Sequence, residues 1–361
     1  LMKIYNFSAG PACLPEPVLA AAGEASKQYK GTGMSLMEMS HRSIPVVELF
    51  EETTERIKDL LAIPSIYHVL WLQGGASTQF SMVPLNVLPE GSSADYIETG
   101  SWSTKAIAEC NKVGKAHVIG SSKDVTFTFI PKDCEQNTRS SYLHITSNNT
   151  IYGTQYKVFP KVENPDGFLV ADMSSDILSK PINISEFGLI YAGAQKNMGP
   201  AGVTMVIIRD DLVGKNYREI PTMLNYETHV KKDSMFNTPP VFSVFMVNET
   251  LKWLMNLGGL EAMAVINERK AGKLYSEIKR NPLFRSPVTV EDRSLMNIPF
   301  VFSDNSMDDN HFLKFCDKRG LKTLKGHRSV GGFRASIYNA MPDAGVDALI
   351  SAMQDYKKSS L

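Results

Sequence analysis

Lys196 lies in the run AGAQKNMGPAG (192–202), among small and amide side chains, with no carboxylate within five residues on either side. A bulky partner can approach an amine in such company, and no neighbouring anion pins it as a surface charge, so it suits covalent work. Three other segments supply different chemistry. The apolar run FLVAD (168–172) ends on Asp172, followed by Met173, Ser174 and Ser175. The run QGGASTQF (73–80) sets Gly74 and Gly75 ahead of the small residues Ala76, Ser77 and Thr78. That is the make-up of a tight turn opening a helix, whose free amides can hold a phosphate. In TGSWSTK (99–105), Trp102 offers a flat face to a planar ring. Singly, each has a plain structural reading: a solvated lysine, a capping aspartate, a strand-to-helix turn, an indole in the core. Together they are the parts a pyridoxal phosphate site needs. Lys196 would condense with the cofactor aldehyde and then carry a proton between the substrate α carbon and the cofactor. Asp172, as an anion, would keep the ring nitrogen protonated so that the ring accepts electrons. Trp102 would stack on the ring, and the Gly75–Ser77 amides would hold the phosphate when the tether to the lysine opens.

In open α/β sheets, ligands bind beyond the carboxyl ends of the strands, and these four segments all follow short apolar runs. Seven such runs fall at 67–72, 94–99, 115–120, 141–146, 168–172, 188–193 and 203–208, bounded by Gly, Pro, Ser or Asp. Residues 46–61 place Val46, Leu49, Phe50, Ile57, Leu60 and Leu61 on one helical face, and further helices are predicted at 76–88 and 101–113. The alternation predicts an α/β fold with a mostly parallel seven-stranded sheet flanked by helices. From 242 the texture changes to long helices (242–256 and 259–280). A strand at 298–303, a helix at 308–319, a Gly-rich strand at 331–337 and a last helix from 343 follow. This predicts a large domain over 16–256 and a smaller α+β domain over 257–361, joined by residues 1–15, with Gly258 and Gly259 at the break.

Composition narrows the function classes. Among 361 residues, Lys plus Arg and Asp plus Glu both number 38, so no overall charge draws the chain to nucleic acid or an anionic membrane. No apolar run is long enough to span a membrane, and the first residues lack a signal peptide's apolar stretch, so a cytoplasmic protein is expected. Cys13, Cys110, Cys134 and Cys316 are scattered, against a disulfide framework or a structural zinc, and no metal is expected.

The motifs FSAGPACLP, MSHRS, LQGGAS, GSWSTKA, NNTIYGTQ, AGAQKNMGPAG, NTPP and GHRSVGGFRASIYNAMP occur in order along the whole chain. In these the sequence resembles the phosphoserine aminotransferase family, in the class V branch of fold type I pyridoxal phosphate enzymes. The resemblance implies a homodimer with active sites at the subunit interface. It implies cofactor contacts at Gly75, Ala76, Ser77, Trp102, Thr150 (ring hydroxyl), Asp172, Gln195 (phosphate) and Lys196. Asn237 and Thr238 would reach the phosphate from the other subunit. For substrate, it implies Ser8 and Arg42 near the distal anion, His327 and Arg328 of the partner on the phosphate side, and Arg334 as a fork for the α-carboxylate. Planar guanidinium groups suit that work, because they bind carboxylate or phosphate through paired hydrogen bonds. Some family members carry Arg where this chain has Ser77, so one substrate contact differs here. The activity implied is a two-stage transamination from L-glutamate to 3-phosphohydroxypyruvate, giving O-phospho-L-serine and 2-oxoglutarate in L-serine biosynthesis.

Overall fold

The computed structural model describes residues 3–215 and 217–360. Short β-branched runs buried on both faces form its centre: β5 (Tyr142–Thr146), β6 (Phe168–Asp172) and β7 (Phe187–Gly193) have no exposed residue. Around them lie β2 (Tyr67–Leu72), β3 (Ser93–Glu98), β4 (Lys115–Ser121) and β8 (Thr204–Arg209), after a short β1 (Tyr5–Asn6). The seven strands are ordered β2-β8-β7-β6-β5-β3-β4. Only β8 opposes the rest: it pairs antiparallel with both β2 and β7, while the other ladders are parallel. The sheet matches the sequence reading, and β8 is its one reversed member. Because β7 and β8 are antiparallel neighbours, the segment bearing Lys196 is a direct return turn at the carboxyl end of β7.

Helices cover both faces. On one, α3 (Gly75–Val87) and α4 (Ser101–Val113), with the short α5 (Tyr226–Val230), bury Phe80, Met82, Val83, Ala106, Cys110 and Tyr226 against Leu70, Leu189 and Val206. On the other, α2 (Ile44–Leu61) and α6 (Val241–Asn256) close over Ile145, Ala171, Ile190 and Ile207 with Val46, Leu49, Val244, Val247 and Leu251. Each such aliphatic side chain, taken fully from water, contributes about 1.5–3 kcal/mol before conformational entropy is charged against it. The helix α1 (Glu16–Lys27), started by Pro17 in its first turn, escaped the sequence reading, because its run of alanines gives a weak apolar stripe.

A second apolar core gathers Phe284, Phe300, Phe302, Phe312, Phe333 and Tyr356. It is built on β9 (Phe284–Arg285), β10 (Asn297–Phe302) and β12 (Phe333–Ser336), with α8 (Asp309–Asp317) and α9 (Asp343–Ser360). β1 pairs in parallel with β11 (Leu321–Lys322), and Phe7 joins this core. One long helix, α7 (Gly259–Arg280), belongs to both: Leu260 and Met263 pack in the first core, Ala271, Leu274 and Ile278 in the second. Buried amides stitch the two together. Asn148 donates through Nδ2 to Asn297 Oδ1 and to Ser175 Oγ, each at 2.8 Å. Asn297 Nδ2 in turn reaches Tyr338 Oη at 3.0 Å. Such groups persist in an interior only when paired, so this network fixes how β10 sits against the ends of β5 and β6.

Candidate active site

Since β2, β3, β5, β6 and β7 run the same way, the residues that follow them meet at one edge of the sheet. They line a cavity of about 540 Å³ containing Gly75, Ala76, Ser77, Trp102, Thr150, Asp172, Gln195, Lys196, His327, Arg328 and Arg334. Eleven sequence-nominated residues, spread from 75 to 334, are therefore together.

One wall is the start of α3. Its cap, Gly74, has φ of 93°, and an added Cβ there would stand 2.0 Å from Thr78 Oγ1, so this turn tolerates no side chain. With no side-chain cap, the first amides of α3 remain available to an anion. The adjoining wall is the start of α4, tied down by Ser103, whose Oγ accepts from the amides of Thr99 (3.0 Å) and Gly100 (3.1 Å). That anchor sets Trp102 over the cavity, with the Lys196 ammonium 5.7 Å from its ring centre.

The floor holds the reactive pair. Lys196 Nζ donates to Thr150 Oγ1 at 2.8 Å. Burial is the chief cause that pushes its pKa down to about 8; Asp172 opposes that shift and Arg334 adds to it. Burial likewise raises Asp172, partly offset by the Ser174 amide donating to its Oδ1 at 2.9 Å and by the charge of Lys196. No ion pair links Lys196 to Asp172 among the described residues, which is why desolvation governs both groups. Above them, Arg334 donates from Nη1 to Thr150 O at 3.3 Å, while its Nε is buried without a partner. An orphaned guanidinium donor over the amine is what a bound carboxylate would satisfy.

The rim is cationic. The Ser329 amide donates to His327 Nδ1 at 3.3 Å, which makes that nitrogen an acceptor and leaves Nε2 as the donor. His327 is held below its ordinary pKa, first by burial and then by Arg334 and Arg328. Lys105 lines the same space with its ammonium 4.6 Å from the Trp102 ring centre, and it has no ion-pair partner among the described residues. The sequence reading passed over Lys105 although it stands one helical turn beyond Trp102; that spacing was the available signal.

Four nominated residues lie elsewhere. Ser8 borders the cavity without lining it, its Oγ accepting from the Gly10 amide at 3.4 Å while Ala9 and Gly10 form the wall. Arg42 is exposed, in the turn before α2, away from this chain's cavity. Asn237 donates to Gln73 Oε1 at 3.0 Å in a neighbouring hollow behind the Gly74 turn, and Thr238 is exposed beside it. His327 and Arg328 need a correction of the opposite kind: expected from a partner, they line the cavity of their own chain. The stretch 326–332 folds back after β11, with the Gly326 amide on Gly332 O at 2.8 Å, and this turn brings them there.

Known proteins share this fold. The chain is 51% identical over 357 residues to the phosphoserine aminotransferase of Bacillus cereus, covering 98% of both chains. It superposes with a TM-score of 0.96 on the phosphoserine aminotransferase structure from Bacillus circulans subsp. alkalophilus, at 46% identity and 99% coverage of each chain. A pyridoxal phosphate-bound phosphoserine aminotransferase from Trichomonas vaginalis gives 0.93 at 40% identity, covering 98% of this chain and 100% of that one. Residues 4–349 match the family described as Aminotransferase class-V. By sequence match and by shared architecture, this chain belongs to the class V aminotransferase family.

Proposed function

We propose that the protein is a pyridoxal phosphate-dependent phosphoserine aminotransferase. It would take an amino group from L-glutamate and pass it to 3-phosphohydroxypyruvate, giving O-phospho-L-serine and 2-oxoglutarate for L-serine biosynthesis. The observation that carries this reading is a half-buried lysine of lowered pKa facing an aromatic plate, an uncapped helix start and an orphaned arginine donor in one cavity.

The residues fit the cofactor. The amides of Gly75, Ala76 and Ser77, with Gln195, would hold its phosphate. Trp102 would stack on its ring, Thr150 would take the ring hydroxyl, and Asp172 would face the ring nitrogen. When bound, the group supplies an electron sink for the substrate's α carbon. The rest belongs to the chain. Lys196 Nζ, held below the ordinary lysine range by its enclosure, takes and returns the α proton. Asp172, enclosed by β5 and β7, has its charged form favoured by the Ser174 amide against the opposing effect of burial. Arg334 orients the α-carboxylate, fixing which bond at the α carbon lies over the ring. His327, Arg328 and Lys105 receive the distal anion, and a cluster of donors without a built-in carboxylate partner accepts either a γ-carboxylate or a phosphate.

A homodimer completes this reading. Asn237 and Thr238 would extend to the partner's phosphate cradle, and Arg42 would approach a distal anion across the interface, while Ser8 would approach it from beside the Ala9–Gly10 wall of its own chain. A cytoplasmic location and a division into domains near residue 257 belong to the same proposal. No helix among the described residues is long and apolar enough to cross a membrane. The test is a spectral titration of the protein reconstituted with pyridoxal phosphate. Glutamate should remove the visible band and phosphohydroxypyruvate should restore it. A band that glutamate removes but that only glyoxylate restores would replace the substrate assignment, and a protein that takes up no cofactor would end the whole reading.

A further inference from the structure

Lys270, midway along α7, is fully buried. Its ammonium donates to four carbonyl oxygens, those of Ile337 (3.2 Å), Tyr338 (2.8 Å), Asn339 (3.4 Å) and Met341 (3.0 Å). No carboxylate lies within ion-pair distance among the described residues; the flanking Arg269 and Lys273 take Asp343 instead. An enclosed charge without a counter-charge is costly, and a methionine would fill the space more cheaply. What the ammonium does in return is gather a non-helical stretch, 337–341, around one point.

That stretch reaches the cavity by two routes. Tyr338 Oη donates to Ala9 O at 2.7 Å, and Ala9 leads into Gly10, whose ideal Cβ would stand 3.6 Å from Lys196 Cγ. The Asn339 amide donates to Asn197 Oδ1 at 3.0 Å, and Asn197 adjoins Lys196 in the β7–β8 turn. Asn339 Nδ2 also holds Leu178 O at 2.9 Å, and Asn267 of α7 holds Asn339 Oδ1 at 2.8 Å. Immediately upstream, β12 carries Arg334.

We propose that Lys270 is a positioning residue for Lys196: its buried ammonium fixes residues 337–341, which through Asn339–Asn197 and Tyr338–Ala9 hold the lysine turn and the wall packed on the lysine stem. This rests on the aminotransferase reading of the cavity. A residue of this kind acts on turnover and on the amine's surroundings more than on substrate affinity.

The test compares Lys270→Met, Lys270→Arg and Tyr338→Phe with the unaltered protein. Two readouts are taken: steady-state kinetics, and the pH dependence with which the cofactor-free protein is trapped at Lys196 by pyridoxal phosphate and borohydride. Lys270→Met should lower kcat by about 10-fold or more with KM for glutamate within about 3-fold, and should move the trapping midpoint toward that of an exposed lysine. Lys270→Arg, keeping the charge, should recover part of both. Tyr338→Phe removes one route only and should lower kcat by about 3- to 10-fold with a smaller midpoint change; if Lys270→Met does not fold, this variant decides. A Lys270→Met or Tyr338→Phe protein that melts earlier yet keeps kcat and the trapping midpoint overturns the proposal and leaves a structural role. The trapping readout needs no substrate, so failure of the unaltered protein to transaminate, which sinks the functional reading, is told apart from an unmoved trapping midpoint in the variants, which sinks this one.

Discussion

Thr150 Oγ1 accepts from Lys196 Nζ at 2.8 Å, across the gap between the loop after β5 and the turn after β7. The hydroxyl proposed to meet the cofactor's own hydroxyl thus holds the amine, and Arg334 grips the backbone oxygen of the same threonine at 3.3 Å. Amine and guanidinium thus share one residue, so displacement at either is felt at the other.

Replacing the amine is the plainest test. Lys196→Ala should lower turnover by at least about 10³-fold. Cofactor should still bind, but be removed by dialysis, because the amides of α3 and the Trp102 face remain. Appreciable transamination by this variant would remove the lysine from its assigned role.

The pKa of Lys196 sets a pH dependence whose sign follows from its cause. A depressed amine is protonated and unreactive below about 8 and nucleophilic above it, so trapping by an aldehyde should rise with pH through a midpoint near that value. Arg334→Gln removes a cation that favours the neutral amine and should move the midpoint up. Asp172→Asn removes an anion that favours the charged amine and should move it down. Shifts in the opposite directions, followed by absorbance, would show that burial has been misjudged as the background on which both charges act.

Asp172→Asn should also cut kcat by about 10²-fold or more, because a neutral amide cannot hold a proton on the ring nitrogen. Cofactor affinity should fall with it, measurable by equilibrium dialysis. An unchanged kcat would place the electron-sink role elsewhere.

Lys105→Met tests the cationic rim. The side chain is exposed, so solvent discounts its contribution, and a loss of about 3- to 10-fold in kcat/KM for phosphohydroxypyruvate is expected. Glutamate should suffer less, as its distal group carries one charge. Equal losses for both substrates would mean that Lys105 acts through Trp102, on which its ammonium rests.

Gly153→Ala probes the junction of the two cores. Gly153 has φ of 81°, and an added Cβ would stand 2.2 Å from Pro299 Cδ. Left-handed backbone strain of about 1–2 kcal/mol plus overpacking of about 1–3 kcal/mol should appear as a clear fall in melting temperature. Turnover should drop as well, since the same loop carries Thr150. A variant with unchanged melting would show that β10 can move away from this loop freely.

Much of this protein was legible along the chain. Short apolar runs such as FLVAD and GLIYAG, bounded by turn residues, read as strands covered on both faces, and their endings drew attention to Asp172 and Lys196, because hydrophobic period and turn residues are local properties. Other features required the fold. Nothing near residue 204 says that β8 runs against its neighbours, a consequence of pairing between distant strands that gives Lys196 its place on a return turn. No local pattern could bring His327 and Arg328 into their own chain's cavity, since that outcome depends on how 326–332 folds back after β11. Lys270 reads as a charge on a helix; only packing reveals that it is enclosed among four carbonyls. The depressed pKa of Lys196 has the same origin, for the sequence supplies the amine but only the assembled interior removes the water that would have kept it charged.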